Sequence, residues 1–422
     1  MMGTGRRVTA TDIERIVPFE LLIDRLADEH VTDWIAVRRH LHAHPEPSRE
    51  ELRTTEFIRQ RMVERGFETR IPPRGVGVIS ELQIGEISDQ PHVVAVRADM
   101  DALRMPDCKN VPWASTCEGL AHSCGHDVHM TIVLAVADLL KTVTETHVDD
   151  FPSLHLRFVF QAAEETCEGA SWMIEDGALS DVSSIVGLHV DPLLQAGTVG
   201  IRYGVLTAQA DEFIVEIQGS GGHAARPHHT TDPVAAAAML ISNLHQAVGR
   251  HADALHPTVF TVGRIEGGTA SNIIPDHASF SGTLRSTDRH VRERALSVIR
   301  NCCDAVATMT GNKISCEFRN PLGSVINDVT VASAMEAASR HAVGDGNVVL
   351  LDKPSMGGED FAMYIEHVRG AQIRLGCAGD SPEGEPWPLL HSPDFDIDES
   401  AIATGVRILA RSALMLALMP RG

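Results

Sequence analysis

The sequence has no Cys-x-x-Cys pair. Its eight cysteines, at positions 108, 117, 124, 167, 302, 303, 316 and 377, are scattered, which argues against a disulfide framework or a structural zinc knuckle. It shows no uninterrupted apolar run long enough to cross a bilayer, and helical candidates such as residues 132–140 fall well short. The first fifteen residues carry scattered charge and lack the apolar core of a secretory signal, so a cytoplasmic location is expected. Positive charge is scarce: 36 Lys and Arg stand against 57 Asp and Glu, a formal net charge of -21. Nucleic acid and anionic membranes are therefore disfavoured as partners. There is no internal repeat or low-complexity stretch.

What is present suits a well-packed globule, with 43% hydrophobic and 22% charged residues. A chain of 422 residues exceeds what one hydrophobic core usually serves, so two domains are expected. Residues 18–66 carry helical apolar spacing and predict two helices. Residues 92–97 form a nearly continuous β-branched run, as a strand buried on both faces does. A helix is predicted over 130–143. Strands are predicted over 155–160, leading into Gln161-Ala162-Ala163-Glu164-Glu165, and over 184–188, leading into His189. Delivery of polar residues at successive strand ends is how open α/β sheets build ligand sites. Residues 207–319 read as a separate unit of order βαββαβ: strands over 211–218, 257–264, 277–285 and 313–318, helices over 232–250 and 288–310. That order is the one found in a ferredoxin-like sandwich. The expected fold class is α/β with two domains. A catalytic α/β/α domain with a mixed sheet would be built from 1–206 and 320–422, with strands over 348–351 and 372–375, and the ferredoxin-like unit 207–319 would be inserted in it.

Cys124, His126, Glu165, His189 and His391 supply thiolate, imidazole and carboxylate, the donors that bind borderline divalent metals. Singly, each is more often a buried thiol or a satisfied histidine; their joint placement in short polar segments beside apolar runs favours a shared metal site. Two metals about 3.5–4 Å apart can polarise a carbonyl and acidify a water toward a pKa of roughly 7. A base must then carry the proton, and Glu164, beside the ligand candidate Glu165, is the candidate. A thiolate at Cys124 could bridge two cations. In Gly219-Ser220-Gly221-Gly222-His223, glycines admit a close ligand and His223 could donate to an oxyanion. Asn272 and Arg285 could hold a substrate carboxylate.

Several ordered segments resemble the successive motifs of the M20 metallopeptidase family: Arg38 to Glu46, Arg97-Ala98-Asp99-Met100-Asp101-Ala102-Leu103, Cys124-Gly125-His126-Asp127-Val128-His129, Gln161 to Glu165, Gly187-Leu188-His189, Gly221-Gly222-His223-Ala224-Ala225, Gly282-Thr283-Leu284-Arg285, Gly358-Glu359-Asp360-Phe361 and His391-Ser392. The likeness is strongest to its amidohydrolase branch of N-acyl-amino-acid, hippurate and auxin-conjugate hydrolases. It implies two divalent ions per subunit, Zn2+ or Mn2+ with Co2+ or Ni2+ as alternatives, held by Cys124, His126, Glu165, His189 and His391, with Cys124 bridging. It further implies Glu164 as general base, His223 as oxyanion donor, Asn272 and Arg285 on the substrate carboxylate, and Asp99 or Asp101 orienting the ligands from behind. The inserted unit would be a lid that also forms a homodimer, through an edge strand left open by its small sheet. Residues 104–107, the lead-in 117–123 and the alanines at 162–163 depart from the family pattern, which leaves substrate identity open. The expected activity is hydrolysis of small N-acyl amino acids. The alternatives are a dipeptidase of the same family and a metal-binding homologue without turnover.

Overall fold

The structure, a computed structural model, describes residues 6–85, 92–151, 153–381 and 386–420. Its contacts divide the chain into two compact units. One comprises Met1–Leu206, Val325–Lys353 and Asp360–Gly422; the other comprises Thr207–Ser324 and Pro354–Glu359. The boundary expected after 319 thus falls after Ser324, because the last strand of the second unit continues through Leu322. The short return at 354–359 carries no periodic pattern that would announce it.

Among the described residues, the first unit is built on an eight-stranded mixed sheet. At its centre the strands Ser153–Gln161, Val93–Asp99 and Val182–Gln195 run parallel to one another, and Arg369–Ala378 extends the parallel set. Antiparallel pairing enters on both sides, through Val78–Gly85 against Ser153–Gln161 and through Val199–Ile201 against Arg369–Ala378. Every residue of Val93–Asp99 is buried. Val94, Val96 and Ala98 enter the larger core, while Val93 and Ala95 enter a separate core on the opposite face. The β-branched run therefore reflects a strand covered on both sides.

The helices Val17–Ala43, His126–Thr146 and Ser400–Leu418 pack on one another, and the last two also pack on the sheet. Ser400–Leu418 corrects the expectation that apolar helical stretches fall well short of a bilayer span. It is 19 residues long with a mean hydropathy of 1.6 in its most apolar window, and 78% of that window is buried within the protein. The apolarity is that of a core helix. Its Arg411, 1% exposed, is held by Glu20 at 3.2 Å and Asp24 at 2.8 Å.

Two boundaries near the candidate residues also move. The helix expected from 130 begins at His126, because Gly125 at φ 82° reverses the chain and its carbonyl accepts the amides of Val128 and His129. The strand expected to stop at 188 runs to Gln195, because its parallel ladder with Arg369–Ala378 continues through the pairs Arg374–His189 and Gly376–Asp191.

In the second unit, strands Thr258–Gly267, His277–Ser286, Gln209–Gln218 and Lys313–Leu322 lie in that spatial order with every neighbour antiparallel. The helices Pro233–His251 and Arg289–Thr310 pack on each other and on this sheet. The core includes Phe213, Val215, Leu240, Leu244, Phe280 and Ile299. Asp232 and Asp288 cap the two helices, each carboxylate accepting two amides of the first turn. Asp288→Ala should cost about 1 kcal/mol, read by denaturant unfolding. The amides of Val291 and His290 hold the Asp288 carboxyl below its usual range. Its stabilisation is therefore present above the unfolded carboxylate range and lost as pH falls through the lowered native value, so the gap between parent and variant should close in acid.

Candidate metal and catalytic site

Five segments of the first unit bring their polar residues together. Asp99 ends one central strand, and Asp101 follows it. His126 opens a helix behind the left-handed Gly125; a Cβ at Gly125 would lie 2.4 Å from Val190 Cγ2, so the close approach requires glycine. The strand Ser153–Gln161 leads into Ala163, whose φ of 54° turns the chain sharply before Glu164 and Glu165. A left-handed alanine costs roughly 1–3 kcal/mol and persists only where its surroundings enforce it. His189 projects from within its strand, and His391, at φ 60°, is fixed by the hydrogen bond its amide donates to the Ser123 carbonyl, 2.8 Å.

Cys124 Sγ lies 3.5 Å from His189 Nε2 and 3.3 Å from His391 Nε2. Glu165 Oε1 lies 3.5 Å from His391 Nε2 and 4.0 Å from His126 Nε2. Donor atoms lie within 4.8 Å of one another in the groups Cys124–His126–His189, Cys124–Glu165–His391 and His126–Glu164–Glu165. The arrangement thus gathers Cys124, His126, Glu165, His189 and His391 in one place, with Glu164 beside them.

The hydrogen bonds set the imidazole tautomers. His126 Nδ1 donates to the Asp101 carbonyl at 2.8 Å, and His189 Nδ1 donates to the Val190 carbonyl at 2.8 Å. Each leaves an Nε2 lone pair aimed at the cluster, the arrangement in which metal-binding histidines are oriented. His126 Nε2 and Glu165 Oε1 are buried with no hydrogen-bond partner among the described residues. Buried polar atoms ordinarily find one. A divalent cation fits both that vacancy of partners and the soft-to-borderline character of a thiolate, imidazole and carboxylate donor set.

The electrostatics point the same way. Burial pushes the Cys124 thiol well above its ordinary range, and the Glu165 charge adds to this. Burial alone would lower His126, yet the charge of Asp99 and the Asp101 carboxylate beside its ring outweigh it and hold its proton affinity well up. The negative surroundings that draw a proton to His126 also draw a cation. Burial, with His129 and Arg374, pushes His189 well down, which keeps its ring neutral.

A buried polar array stands behind this cluster. Arg97 donates to Asp99 Oδ2 at 2.7 Å, to Gln161 Oε1 at 2.9 Å and to Asp360 Oδ1 at 2.9 Å. Gln161 Nε2 donates to both Asp360 oxygens, at 2.9 and 2.7 Å. The Asp360 amide in turn donates to Glu164 Oε1 at 3.3 Å. On the other side, Asp99 Oδ1 accepts from His129 Nδ1 at 2.6 Å, and His129 Nε2 accepts the Val190 amide at 3.0 Å, next to His189. Asp99 is held well below the usual carboxylate range: burial opposes this, but His126, His129 and Arg97 overcome it. Asp101 accepts the Glu165 amide at 3.0 Å and the Ser48 hydroxyl at 2.6 Å. His129, Arg97, Gln161 and Asp360 had no assigned role in the sequence reading. The spacing of His126 and His129, three apart on one helical face, was the available signal for the first; the others meet only through the fold.

The remaining candidates belong to the second unit. His223 is exposed on a two-residue strand paired with Ile273 and Ile274, and its Nδ1 accepts the Ala225 amide at 3.0 Å. Asn272 adjoins it, its carbonyl accepting the Ala224 amide at 3.1 Å. Arg285, partly buried, donates to the Met356 carbonyl at 3.0 Å.

A family model for Peptidase family M20/M25/M40 matches residues 95–415. The chain belongs to peptidase family M20/M25/M40. Its relatives include the N-acetyl-L-cysteine deacetylase of Bacillus subtilis, 37% identical over 383 residues, 90% of this chain and 88% of that protein. The IAA-amino acid hydrolase ILR1-like 2 of Arabidopsis thaliana is 35% identical over 403 residues, covering 93% and 87%. Among solved structures, the Bacillus subtilis YXEP protein, a dinuclear metal binding peptidase from the M20 family, superposes with a TM-score of 0.76 and 32% identity, covering 93% of this chain and 99% of that one.

For this M20 chain, the array predicts that His129 matters although both its ring nitrogens are taken up by Asp99 and the Val190 amide. His129→Ala removes the partner of a buried Asp99 oxygen and of the Val190 amide, and it should lower divalent-metal affinity about 10–100-fold, measured by chelator competition.

Proposed function

We propose that this metal-dependent amidohydrolase cleaves small N-acyl amino acids to a carboxylate and a free amino acid. The observation that carries the reading is the division of labour at consecutive residues: Glu165 turns to His126 and His391, while Glu164 Oε1 is held by the Asp360 amide. Adjacent carboxylates facing different partners supply one ligand and one base. Cys124, His126, Glu165, His189 and His391 would hold two divalent ions. The mixed donor set suits Zn2+ or Mn2+, with Co2+ and Ni2+ as alternatives. Such ions, when bound, supply Lewis acidity to the scissile carbonyl and acidify the attacking water.

Glu164 takes the proton of the attacking water and passes it to the departing amide nitrogen. His223 is assigned the hydrogen bond to the developing oxyanion. Asn272 and Arg285 are assigned the substrate carboxylate, the arginine through its planar fork. Asp99 and Asp101 orient the ligands, through His129 and through the His126 ring and the Glu165 amide. Cleavage of an N-acyl group is favoured over dipeptide cleavage because the relatives above include a deacetylase of N-acetyl-L-cysteine and a hydrolase of IAA-amino acids.

The second unit is read as a ferredoxin-like lid that joins two subunits. Its strand Thr258–Gly267 is a sheet edge that exposes Val259 and Ile265, an open template for a second copy. A cytoplasmic enzyme without nucleic-acid or membrane partners accords with the net charge of -21.

A panel of N-acetyl and N-benzoyl amino acids and dipeptides, assayed with added Zn2+ or Mn2+, tests the activity. The expected result is faster turnover of the N-acyl substrates, abolished by a chelator. Glu164→Gln should lower kcat about 10²–10⁴-fold with metal content retained. Metal uptake with no turnover across the panel would sink the reading. Light scattering should give twice the 45.7 kDa chain mass, and charge placed at Val259 and Ile265 should return the protein to a monomer.

A further inference from the structure

The segment 46–51 lies outside every catalytic assignment made above, yet it ends in a costly residue. Glu51 is 0% exposed. Its Oε2 has no hydrogen-bond partner among the described residues, and burial, with the charge of Asp101, pushes its carboxyl up to about 7 against the opposing pull of the Ala163, Glu51 and Arg49 amides. An apolar side chain would fill such a place at lower cost. What the carboxyl does there is specific: Oε1 accepts the amide of Ala163 at 2.7 Å.

Ala163 is the left-handed residue, φ 54°, that immediately precedes Glu164 and Glu165. Its carbonyl is engaged by the amides of Gly169 at 3.1 Å and Glu168 at 3.3 Å. Gly169 permits that closure, since a Cβ there would lie 1.6 Å from the Ala162 carbonyl oxygen. The amide of Ala163 is left to Glu51. Two residues on, the Glu165 amide is held by Asp101 Oδ2, whose other partner is Ser48 of the same 46–51 segment. The turn carrying both carboxylates is thus tethered at amides 163 and 165 from one strap of chain, once directly and once through Asp101.

We infer that Glu51 is a positioning residue: by accepting the Ala163 amide it locks the left-handed turn that sends Glu164 and Glu165 in different directions. The inference rests on reading Glu165 as a ligand and Glu164 as the base. It separates two properties of Glu51, its charge and its acceptor oxygen. Glutamine keeps the oxygen at the same reach without the charge. Aspartate keeps the charge one methylene short, and alanine keeps neither.

The test compares full-length Glu51→Gln, Glu51→Asp and Glu51→Ala proteins, each checked for native circular dichroism. Zn2+ affinity is measured by chelator competition, and kcat and KM are measured on the best substrate of the panel. Glu51→Asp and Glu51→Ala should lose about 10–100-fold in Zn2+ affinity and fall in kcat more than they rise in KM, whereas Glu51→Gln should restore both toward the parent. Should the alanine protein fail to fold, the contrast of Gln with Asp decides. Parent-like Zn2+ affinity in Glu51→Asp and Glu51→Ala overturns the inference, and so does a Glu51→Gln protein as impaired as Glu51→Ala. If the parent cleaves no amide, the Zn2+ series alone judges Glu51, so loss of the proposed activity and loss of the positioning role give different results.

Discussion

The guanidinium of Arg97 is the constraint behind the site. It is 1% exposed and bonds Asp99, Gln161 and Asp360, which come from two adjacent parallel strands and from a segment about two hundred residues further on. A charge this deep is tolerated only when fully partnered, and removing one partner from such a set costs roughly 3–5 kcal/mol. The three segments are therefore locked in register, and what they carry inherits the rigidity. From Asp360 the array reaches Glu164 through a backbone amide; from Asp99 it passes through His129 to the strand that holds His189. The candidate base and one candidate ligand are thus placed by opposite ends of one buried array.

Around that array, burial and charge are set against each other. Burial drives the Cys124 thiol up and His189 down, both toward neutral forms, while the Asp99 carboxylate keeps His126 avid for a positive charge. Two buried metal-donor atoms, on His126 and Glu165, make no hydrogen bond among the described residues. The pocket is short of positive charge in the direction the three imidazoles and the carboxylate face, and a divalent cation is the complement of that shortage.

Much of this was legible in one dimension because local physics left clear marks. A β-branched run at 92–97 marked a strand buried on both faces, and apolar helical spacing marked the two helices of the second unit. Ordered motifs marked the family to which the chain belongs. Other features left no local mark. That the strand bearing His189 continues to Gln195 depends on its ladder with Arg369–Ala378, far along the chain. The apolar run of Ser400–Leu418 reads alike for a core helix and a longer span until its burial is seen. Alanine at 163 gives no hint of a positive φ, since the conformation is imposed by the groups that hold it.

The sequence by itself determined which side chains are available, their chemistry, and the helical and strand periods that carry them, because these follow from residue type and near-neighbour spacing. Only the tertiary structure decided their partners. The tautomer at His126, the meeting of Arg97 with Asp360, and the tether from Glu51 to Ala163 all depend on contacts between residues distant in sequence, and a buried polar atom takes whichever partner the packed fold brings within hydrogen-bond reach.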